Sequence, residues 1–282
     1  MTPDEYCRER AAPRGSTLHY CLRLVPADRR RAVIAIQALG RELDDAARLS
    51  SDAGVARVKL AWWRGEVGTI HAGKPSHPVA LALQAAPAAR SLARADLEAV
   101  VDGAERDVEH RPFADFAALE AHCARTAGVV ATLSAMALGR RDAAALGRVR
   151  ELAVAARLVE VVRDVGSDAR QNRVMIPQDD LARFGVAAAD ILARHTSQSF
   201  TALMATEASR VRERCDRAAA GIESGDRSAL GPWLAALAIG RALLGEIERD
   251  GYRVLEHRIA LTPLRKLLIA TRALRGARPR CE

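Results

Sequence analysis

The stretch that decides the fold is ALGRVRELAVAARLVEVVRDVGSDARQNRVMIP, residues 145–177. It reads as a long apolar helix that carries Asp164 and Asp168 near its end. Two carboxylates four residues apart project from one helix face, and carboxylate oxygens are ligands that Mg²⁺ accepts alongside water and phosphate. Nearby guanidinium groups suit a diphosphate, and the stretch supplies Arg163, Arg170 and Arg173. The pattern predicts a metal-assisted diphosphate site.

The composition favours an all-α protein. Apolar residues make up 49% of the 282 residues but aromatic residues only 4%, and Ala, Leu, Val and Arg dominate. The β-branched and aromatic enrichment expected of strands is missing, whereas Ala and Arg favour helices. The net charge is +8, but basic and acidic residues alternate along the helices. We therefore expect no nucleic-acid partner, because no basic block is interleaved with aromatics.

Cysteine usage and hydropathy predict a reducing compartment. The chain has five widely separated cysteines and no CxxC motif, so a disulfide framework is not expected. No apolar segment typical of a secretory signal opens the chain, and no run approaches the length of a membrane span. We expect a cytoplasmic protein, with a peripheral contact at the inner membrane as a further option through its basic C-terminal helix.

Apolar periodicity divides the chain into eight to ten helices without an internal repeat or a Pro/Ser-rich linker. We predict a single all-α domain over residues 1–276 and a frayed tail over residues 277–282. In the last third, helices are expected at 188–222, 227–246 and 246–260, followed by a basic helix that Pro263 introduces.

A second acidic element, RELDDAAR, occupies residues 41–48. Adjacent Asp44 and Asp45 on an otherwise apolar helix would be costly to bury without partners. One interpretation is an exposed pair between Asp44 and Arg48, four residues apart, which adds little stability. The other is that this acidic face and the face bearing Asp164 meet across a helical cavity.

Several blocks of the chain, taken in order, resemble the squalene/phytoene synthases. The likeness extends from about residue 5 to residue 272, and within the family it is greatest to the bacterial presqualene diphosphate synthases of the hopanoid pathway. The blocks that carry it are YCRERAAPRGSTLHYCLRLVPADRRRAVIAIQALGRELDD (6–45), VKLAWWRGEV (58–67), HAGKPSHPV (71–79), VDGAERDVEHRPFADFAALEAHCARTAGVV (101–130), VVRDVGSDARQNRVMIPQDDLARFGV (161–186) and RALLGEIERDGYRVLEHRIALTPLRKL (241–267).

The resemblance implies an isoprenoid-synthase-type helical bundle with a central cavity. It implies a transferase that condenses two farnesyl diphosphates head to head into presqualene diphosphate, with Mg²⁺ assisting diphosphate departure and no NADPH. By matching position, the metal-side residues would be Asp44, Asp45, Glu160, Asp164 and Asp168. The residues on the diphosphate side would be Arg41, Arg48, Arg163 and Arg173, with Tyr20 as a polar aromatic near the donor.

The acidic blocks depart from the family pattern at three positions. The first motif usually ends in a third acid, where this chain has Arg48, and two amides usually precede the second motif, where it has Arg157 and Glu160. Glu160 can supply a metal ligand, but an arginine cannot. Either the arginines replace part of the metal charge, or they form internal salt bridges that close the site. Two alternatives to the presqualene activity therefore stay open: a catalytically impaired homologue that acts in binding or regulation, and a phytoene-type synthase.

Overall fold

A computed structural model of the chain describes residues 1–50, 52–109, 111–222, 226–227 and 230–276, and within these ranges it contains helices and no strand. This confirms the all-α prediction. The helices are α1 (Pro3–Ala11), α2 (Thr17–Cys21), α3 (Ala27–Arg48), α4 (Ala53–Ala72), α5 (Pro78–Ala85), α6 (Arg94–Glu105), α7 (Phe116–Arg125), α8 (Ala127–Ala137), α9 (Ala143–Ala169), α10 (Gln178–Phe184), α11 (Ala188–Leu192), α12 (Gln198–Ala220), α13 (Gly231–Arg249) and α14 (Pro263–Gly276).

Short polar residues and glycines set the helix ends. The Asp52 side chain accepts a hydrogen bond from the amide of Val55 at 2.9 Å and so caps the start of α4. That helix ends at Gly73, which adopts the left-handed conformation (φ 87°) that glycine tolerates without strain. Pro177 lies directly before α10, which begins at Gln178, and proline is tolerated there because the first residues of a helix do not need an amide donor.

The chain divides into two compact units. The first comprises residues 1–109 and 124–150, and α3 is its central helix, with contacts to α1, α4, α5, α6 and α8. Ile36, Leu39 and Leu43 recur on one face of α3 and are fully or almost fully buried. Burial of such aliphatic side chains contributes about 1.5–3 kcal/mol each, so the apolar stripe holds the acidic end of α3 on a packed helix.

The second unit comprises residues 110–123 and 151–282. In it, α12 packs against α10 and α13, and α13 packs against α14. Gly240 of α13 lies against Val159 of α9, since a Cβ at Gly240 would be 3.4 Å from the valine methyl. Residues 250–262, between α13 and α14, form no helix and run past the end of α9. This segment, here called the α13–α14 loop, matters for the site described below.

Three predicted helices need correction. The one expected at 188–222 is broken into α11 and α12, and Ser197 caps the second by accepting from the amide of Phe200. The one expected at 227–246 begins later and continues to Arg249. The one expected at 246–260 does not form, because Gly251 and Tyr252 both have positive φ and turn the chain away.

The helix bounds do not test the predicted domain bounds. The prediction of a single domain over residues 1–276 stays a prediction. The frayed tail predicted for residues 277–282 lies outside the described residues. Among the described residues, no helix is both long enough and apolar enough to cross a membrane.

Candidate functional site

The first acidic element lies on the last turns of α3 in the first unit. Leu43 of the same segment points into the core, whereas the Asp44 side chain is 43% exposed. Asp44 accepts a hydrogen bond from Arg48 at 3.3 Å, so the pair four residues apart does form. Asp45 pairs instead with Arg10 of α1. Both predicted metal ligands on α3 are therefore in contact with a guanidinium group.

Arg10 and Tyr6 complete the surroundings of this element. One oxygen of Glu42 accepts from the Arg10 Nε and from the Tyr6 hydroxyl, both at 2.7 Å. Burial, together with the neighbouring Glu42 carboxylate, raises the pKa of Tyr6 to about 12. Tyr6 is thus a neutral hydrogen-bond donor that fixes Glu42, and Glu42 in turn orients Arg10 toward Asp45.

The other two predicted residues of the first unit lie at its surface or near it. Arg41 is exposed and forms no ion pair with any other described residue. Tyr20 is half-buried on α2, and its ring packs edge-on against His19 with 5.1 Å between ring centres. Arg41 is therefore available to an anionic ligand at the surface of this unit.

The second acidic element centres on Asp164 of α9, in the second unit. One carboxylate oxygen accepts from the Arg163 Nε at 2.8 Å and from the Arg258 Nε at 2.9 Å, and the other oxygen contacts a terminal nitrogen of Arg163. Burial alone would raise the pKa of Asp164, but the two guanidinium groups lower it to about 2. Asp164 is therefore ionised at neutral pH, and both of its oxygens contact arginine.

Further cations surround Asp164. Arg157, one of the departures from the family pattern, donates to Glu160 at 3.0 Å, and a terminal nitrogen of Arg163 lies 3.9 Å from the other Glu160 oxygen. Lys266 of α14 has its pKa lowered by burial and by repulsion from Arg163 and Arg258. Lys266 therefore lies within electrostatic reach of both arginines.

Asp168 and Arg173 lie at the end of α9. Both residues are buried, and the Asp168 carbonyl accepts from the amides of Gln171 and Arg173. Asn172 adopts a left-handed conformation (φ 56°), which asparagine tolerates better than most residues, and so reverses the chain after α9. The Arg173 guanidinium lies 3.7 Å from the Met175 sulfur. Arg170, in contrast, is exposed and contacts Ser167.

At the second acidic element, the carboxylates of Asp164 and Glu160 are already paired with arginines and do not by themselves offer Mg²⁺ an open set of oxygens. Mg²⁺ needs oxygens at about 2.0–2.1 Å in near-octahedral geometry. Both oxygens of Asp164 contact arginines, and Glu160 accepts a hydrogen bond from Arg157. Among the described residues, no group of three or more His, Cys, Asp or Glu is placed to hold a metal ion. A metal at Asp164 would have to displace two guanidinium groups.

The sequence analysis gave no role at the diphosphate site to several residues that define these surroundings. Arg258 and Lys266 belong to the block at 241–267, whose likeness to the family identified no individual residue. Arg10 comes from α1, far from RELDDAAR in sequence. The sequence shows that these segments contain basic residues, but it does not show which acid each basic residue contacts.

The second unit contains another buried ionic cluster that sequence reasoning missed. Arg210 of α12 donates to both oxygens of Asp180 at 2.6 and 2.9 Å and lies 3.3 Å from Glu207. Burial, with hydrogen bonding to Asp180, raises the pKa of Glu207 to about 8. Arg210 also lies over the Phe116 ring at 4.8 Å. The cluster joins α10 to α12 and contains none of the predicted site residues.

Comparison with proteins of known structure shows the fold. The chain matches a dehydrosqualene synthase solved with a ligand, at a TM-score of 0.79 and 21% identity, over 96% of this chain and 95% of the other. It also matches the squalene synthase HpnC from Alicyclobacillus acidocaldarius, at a TM-score of 0.72 and 23% identity, over 89% and 94% of the two chains. The predicted isoprenoid-synthase-type fold is thereby confirmed.

Comparison of sequences shows the family. The phytoene synthase of Arthrospira platensis is 28% identical over 94% of this chain and 90% of its own length. The family model for squalene/phytoene synthase matches residues 11–265, which include both acidic elements and the α13–α14 loop. The chain belongs to the squalene/phytoene synthase family.

Proposed function

We propose that this chain is a prenyltransferase that joins two farnesyl diphosphates head to head into presqualene diphosphate. The squalene/phytoene synthases are prenyltransferases, and members of the family depend on divalent metals. In the proposed reaction, the bond between C1 and oxygen of the donor breaks and diphosphate leaves with the electron pair. The double bond of the acceptor attacks C1, and loss of one proton closes the cyclopropane. The products are presqualene diphosphate, diphosphate and a proton.

The observation that carries the proposal is the set of cations around Asp164. Arg163 of α9 and Arg258 of the α13–α14 loop both contact Asp164, and Lys266 of α14 lies within electrostatic reach of these two arginines. Positive groups fixed in advance stabilise negative charge as it develops on a departing diphosphate. Arg41 on α3 would contact a diphosphate at the first unit, and Tyr20 would offer its hydroxyl near the donor. No step is assigned to a metal, because the carboxylates are already held by arginines.

Two further candidates each have an observation in their favour. A catalytically impaired homologue that binds a prenyl diphosphate, or regulates a partner, is favoured by the pairs of Arg48 with Asp44 and Arg157 with Glu160. A phytoene-type synthase, which condenses C20 substrates, is favoured by the phytoene synthases among the sequence relatives. Prenyl chain length therefore has to be measured.

One assay separates these candidates. Purified protein is incubated with labelled farnesyl diphosphate or geranylgeranyl diphosphate, each with Mg²⁺ and with excess EDTA, and both diphosphate release and extracted lipids are measured. A C30 diphosphate ester from the farnesyl substrate supports the proposal, and addition of NADPH should not change it. A C40 product from the geranylgeranyl substrate would contradict the proposal and indicate the phytoene-type activity. If neither substrate releases diphosphate, the result would favour the catalytically impaired homologue.

A further inference from the structure

The first unit contains a surface cavity that is separate from its acidic element. The cavity lies where the beginning of α1, the end of α4 and helix α5 meet, and its volume is about 690 Å³. Ligand pockets in proteins usually have volumes of roughly 300–1,000 Å³, so a small molecule fits this space. None of the described residues that line it belongs to the predicted diphosphate site. It is here called the α4–α5 cavity, and it has an apolar wall and a polar rim.

The apolar wall of the cavity consists of Pro3, Ile70, Leu81 and Ala85. Ile70 is buried, Pro3 and Leu81 are half-buried, and Ala85 is exposed. Helix α5 packs against both α1 and α4, so three packed helices support the wall before any ligand arrives. An apolar molecule that covers the wall is stabilised by the area that both surfaces remove from water. The wall therefore favours a ligand with an apolar body.

Three polar residues form the rim, and two of them are oriented by hydrogen bonds to backbone carbonyls. The Gln84 side-chain amide donates to the Ile70 carbonyl at 3.0 Å, and the Arg90 Nε donates to the Gln84 carbonyl at 3.1 Å. Among the residues that the structure describes, the two terminal nitrogens of Arg90 have no hydrogen-bond or ion-pair partner. Guanidinium nitrogens match the two oxygens of a carboxylate. Arg90 is thus oriented through its Nε and keeps donors for an anion.

The third residue of the rim is His71, which lies on the last turn of α4 and is exposed. Its imidazole has no polar or ring partner in the described part of the chain, so a ring N–H remains for a ligand oxygen. No Asp or Glu is among the described residues that line the cavity. The two acids that follow Pro3 are engaged elsewhere, since Asp4 pairs with Arg31 and Glu5 caps its own helix. An anionic ligand therefore meets donors and no competing carboxylate in the lining.

We propose that the α4–α5 cavity binds a small carboxylate that carries an apolar body, of the chemical class of short-chain fatty acids. Arg90 and His71 bind the carboxylate, and the hydrocarbon lies against Ile70 and Leu81. Inorganic phosphate is a weaker ligand because it covers none of the apolar wall. A neutral apolar molecule is weaker because it gains no charge-assisted hydrogen bond from Arg90. The site lies within the first unit alone and does not depend on the proposed prenyl transfer.

The test titrates the purified full chain with octanoate by isothermal titration calorimetry, with octanamide and inorganic phosphate as comparison ligands. We expect saturable binding of octanoate, binding of octanamide that is at least about tenfold weaker, and no competition by phosphate at the same concentration. Equal dissociation constants for octanoate and octanamide would overturn the role of the carboxylate. Competition by phosphate at the same concentration would overturn the role of the apolar wall. Absence of octanoate binding would overturn the proposal as a whole.

Two matched pairs of variants locate the site. Arg90→Gln should weaken octanoate binding about tenfold, whereas Arg8→Gln, at an exposed arginine of α1 outside the lining, should leave it unchanged. Ala85→Trp places a large side chain in the cavity and should abolish binding, whereas Ala61→Trp, at an exposed position of α4 outside the lining, should not. The urea midpoint of each variant shows whether it folds.

The variants also distinguish the cavity from any prenyl site in the same protein. If octanoate binds equally well to Arg90→Gln and to Ala85→Trp, the ligand occupies another place and the proposal is wrong. Equal losses in the two control variants would contradict it as well. Absence of a C30 product from farnesyl diphosphate would contradict only the proposed function, because none of these residues belongs to the predicted diphosphate site.

Discussion

Gly166 on α9 and Val254 on the α13–α14 loop approach each other so closely that a Cβ at Gly166 would lie 2.3 Å from the Val254 carbonyl oxygen. The same Cβ would lie 3.0 Å from the Cα of Leu255. Only glycine permits this approach, because every other residue would push the loop backbone away. The approach brings Arg258 of the loop to Asp164, two residues before Gly166.

We therefore expect Gly166→Ala to destabilise the second unit and to weaken diphosphate binding together. Overpacking against backbone atoms costs about 1–3 kcal/mol, which urea denaturation followed by circular dichroism would detect. Gly147→Ala on the same helix is the control, because nothing lies within 4 Å of its Cβ, and it should increase stability by up to about 1 kcal/mol. Equal stability of the two variants would show that the loop does not depend on Gly166.

The sequence predicted the helical class and the local structure around both acidic elements. The apolar repeat of Ile36, Leu39 and Leu43 placed α3 correctly, and the pair of Asp44 with Arg48, one of the two interpretations that the spacing allowed, is present in the structure. These features depend on residues within about two turns of each other, and helical periodicity encodes such relationships directly.

The sequence could not show which distant cation reaches which acid. Arg258 is 94 residues from Asp164 and Arg10 is 35 residues from Asp45, and the chain contains many other arginines. Such pairing depends on how the helices pack and on the approach at Gly166, which has no periodic signal. The predicted meeting of Asp44 and Asp45 with Asp164 and Asp168 across a cavity, and their predicted role as metal ligands, stay predictions.

Arg48→Asp tests whether one arginine suppresses metal binding at the first acidic element. The change removes the partner of Asp44 and restores an acid one turn after it, so Asp44 and the new carboxylate share a helix face. We expect measurable Mg²⁺ binding by calorimetry where the unchanged protein shows weaker binding. Arg30→Asp, on the same helix, makes the same charge change away from Asp44 and should not increase Mg²⁺ binding. No gain relative to this control would count against the idea.

Glu207 should make stability depend on pH. Because its pKa is raised to about 8 in the folded protein, from an ordinary value of 4.5, the folded state holds a proton that the unfolded state has released between those values. The free energy of unfolding should therefore fall as pH rises from about 4.5 to about 8. Glu207→Gln removes this titration and should flatten the decline in the urea midpoint.

The control for this titration is Glu213→Gln, which changes an exposed residue of the same helix. It should leave the pH profile of the unchanged protein intact. If the urea midpoint of Glu207→Gln changes with pH in the same way as that of the unchanged protein and of Glu213→Gln, the buried cluster of Asp180, Glu207 and Arg210 does not determine the pH dependence.

Helix α14 should bind membranes that contain anionic lipid. Its Leu264 and Leu268 side chains are 65% and 55% exposed at a spacing of one turn, and Arg272 and Arg275 follow on the same face. The helix contains no acidic residue, so its apolar and cationic groups both favour an anionic lipid surface. We expect the protein to sediment with phosphatidylglycerol-containing vesicles and to be released by high salt, which screens the charges.

Replacement of both leucines, Leu264→Ser with Leu268→Ser, should reduce the partition coefficient between vesicles and water by about tenfold. Each leucine side chain that is partly buried in the lipid contributes free energy in proportion to the area it removes from water. Val58→Ser removes an exposed apolar side chain from α4 and should have little effect. Equal binding to neutral vesicles, or an equal loss in the Val58 variant, would show that α14 is not the contact. If vesicle binding is lost on replacing the leucines and is also released by salt, both the apolar and the cationic residues of α14 take part in binding. A helix that only faces solvent would show neither effect, and a helix that binds by charge alone would show only the second.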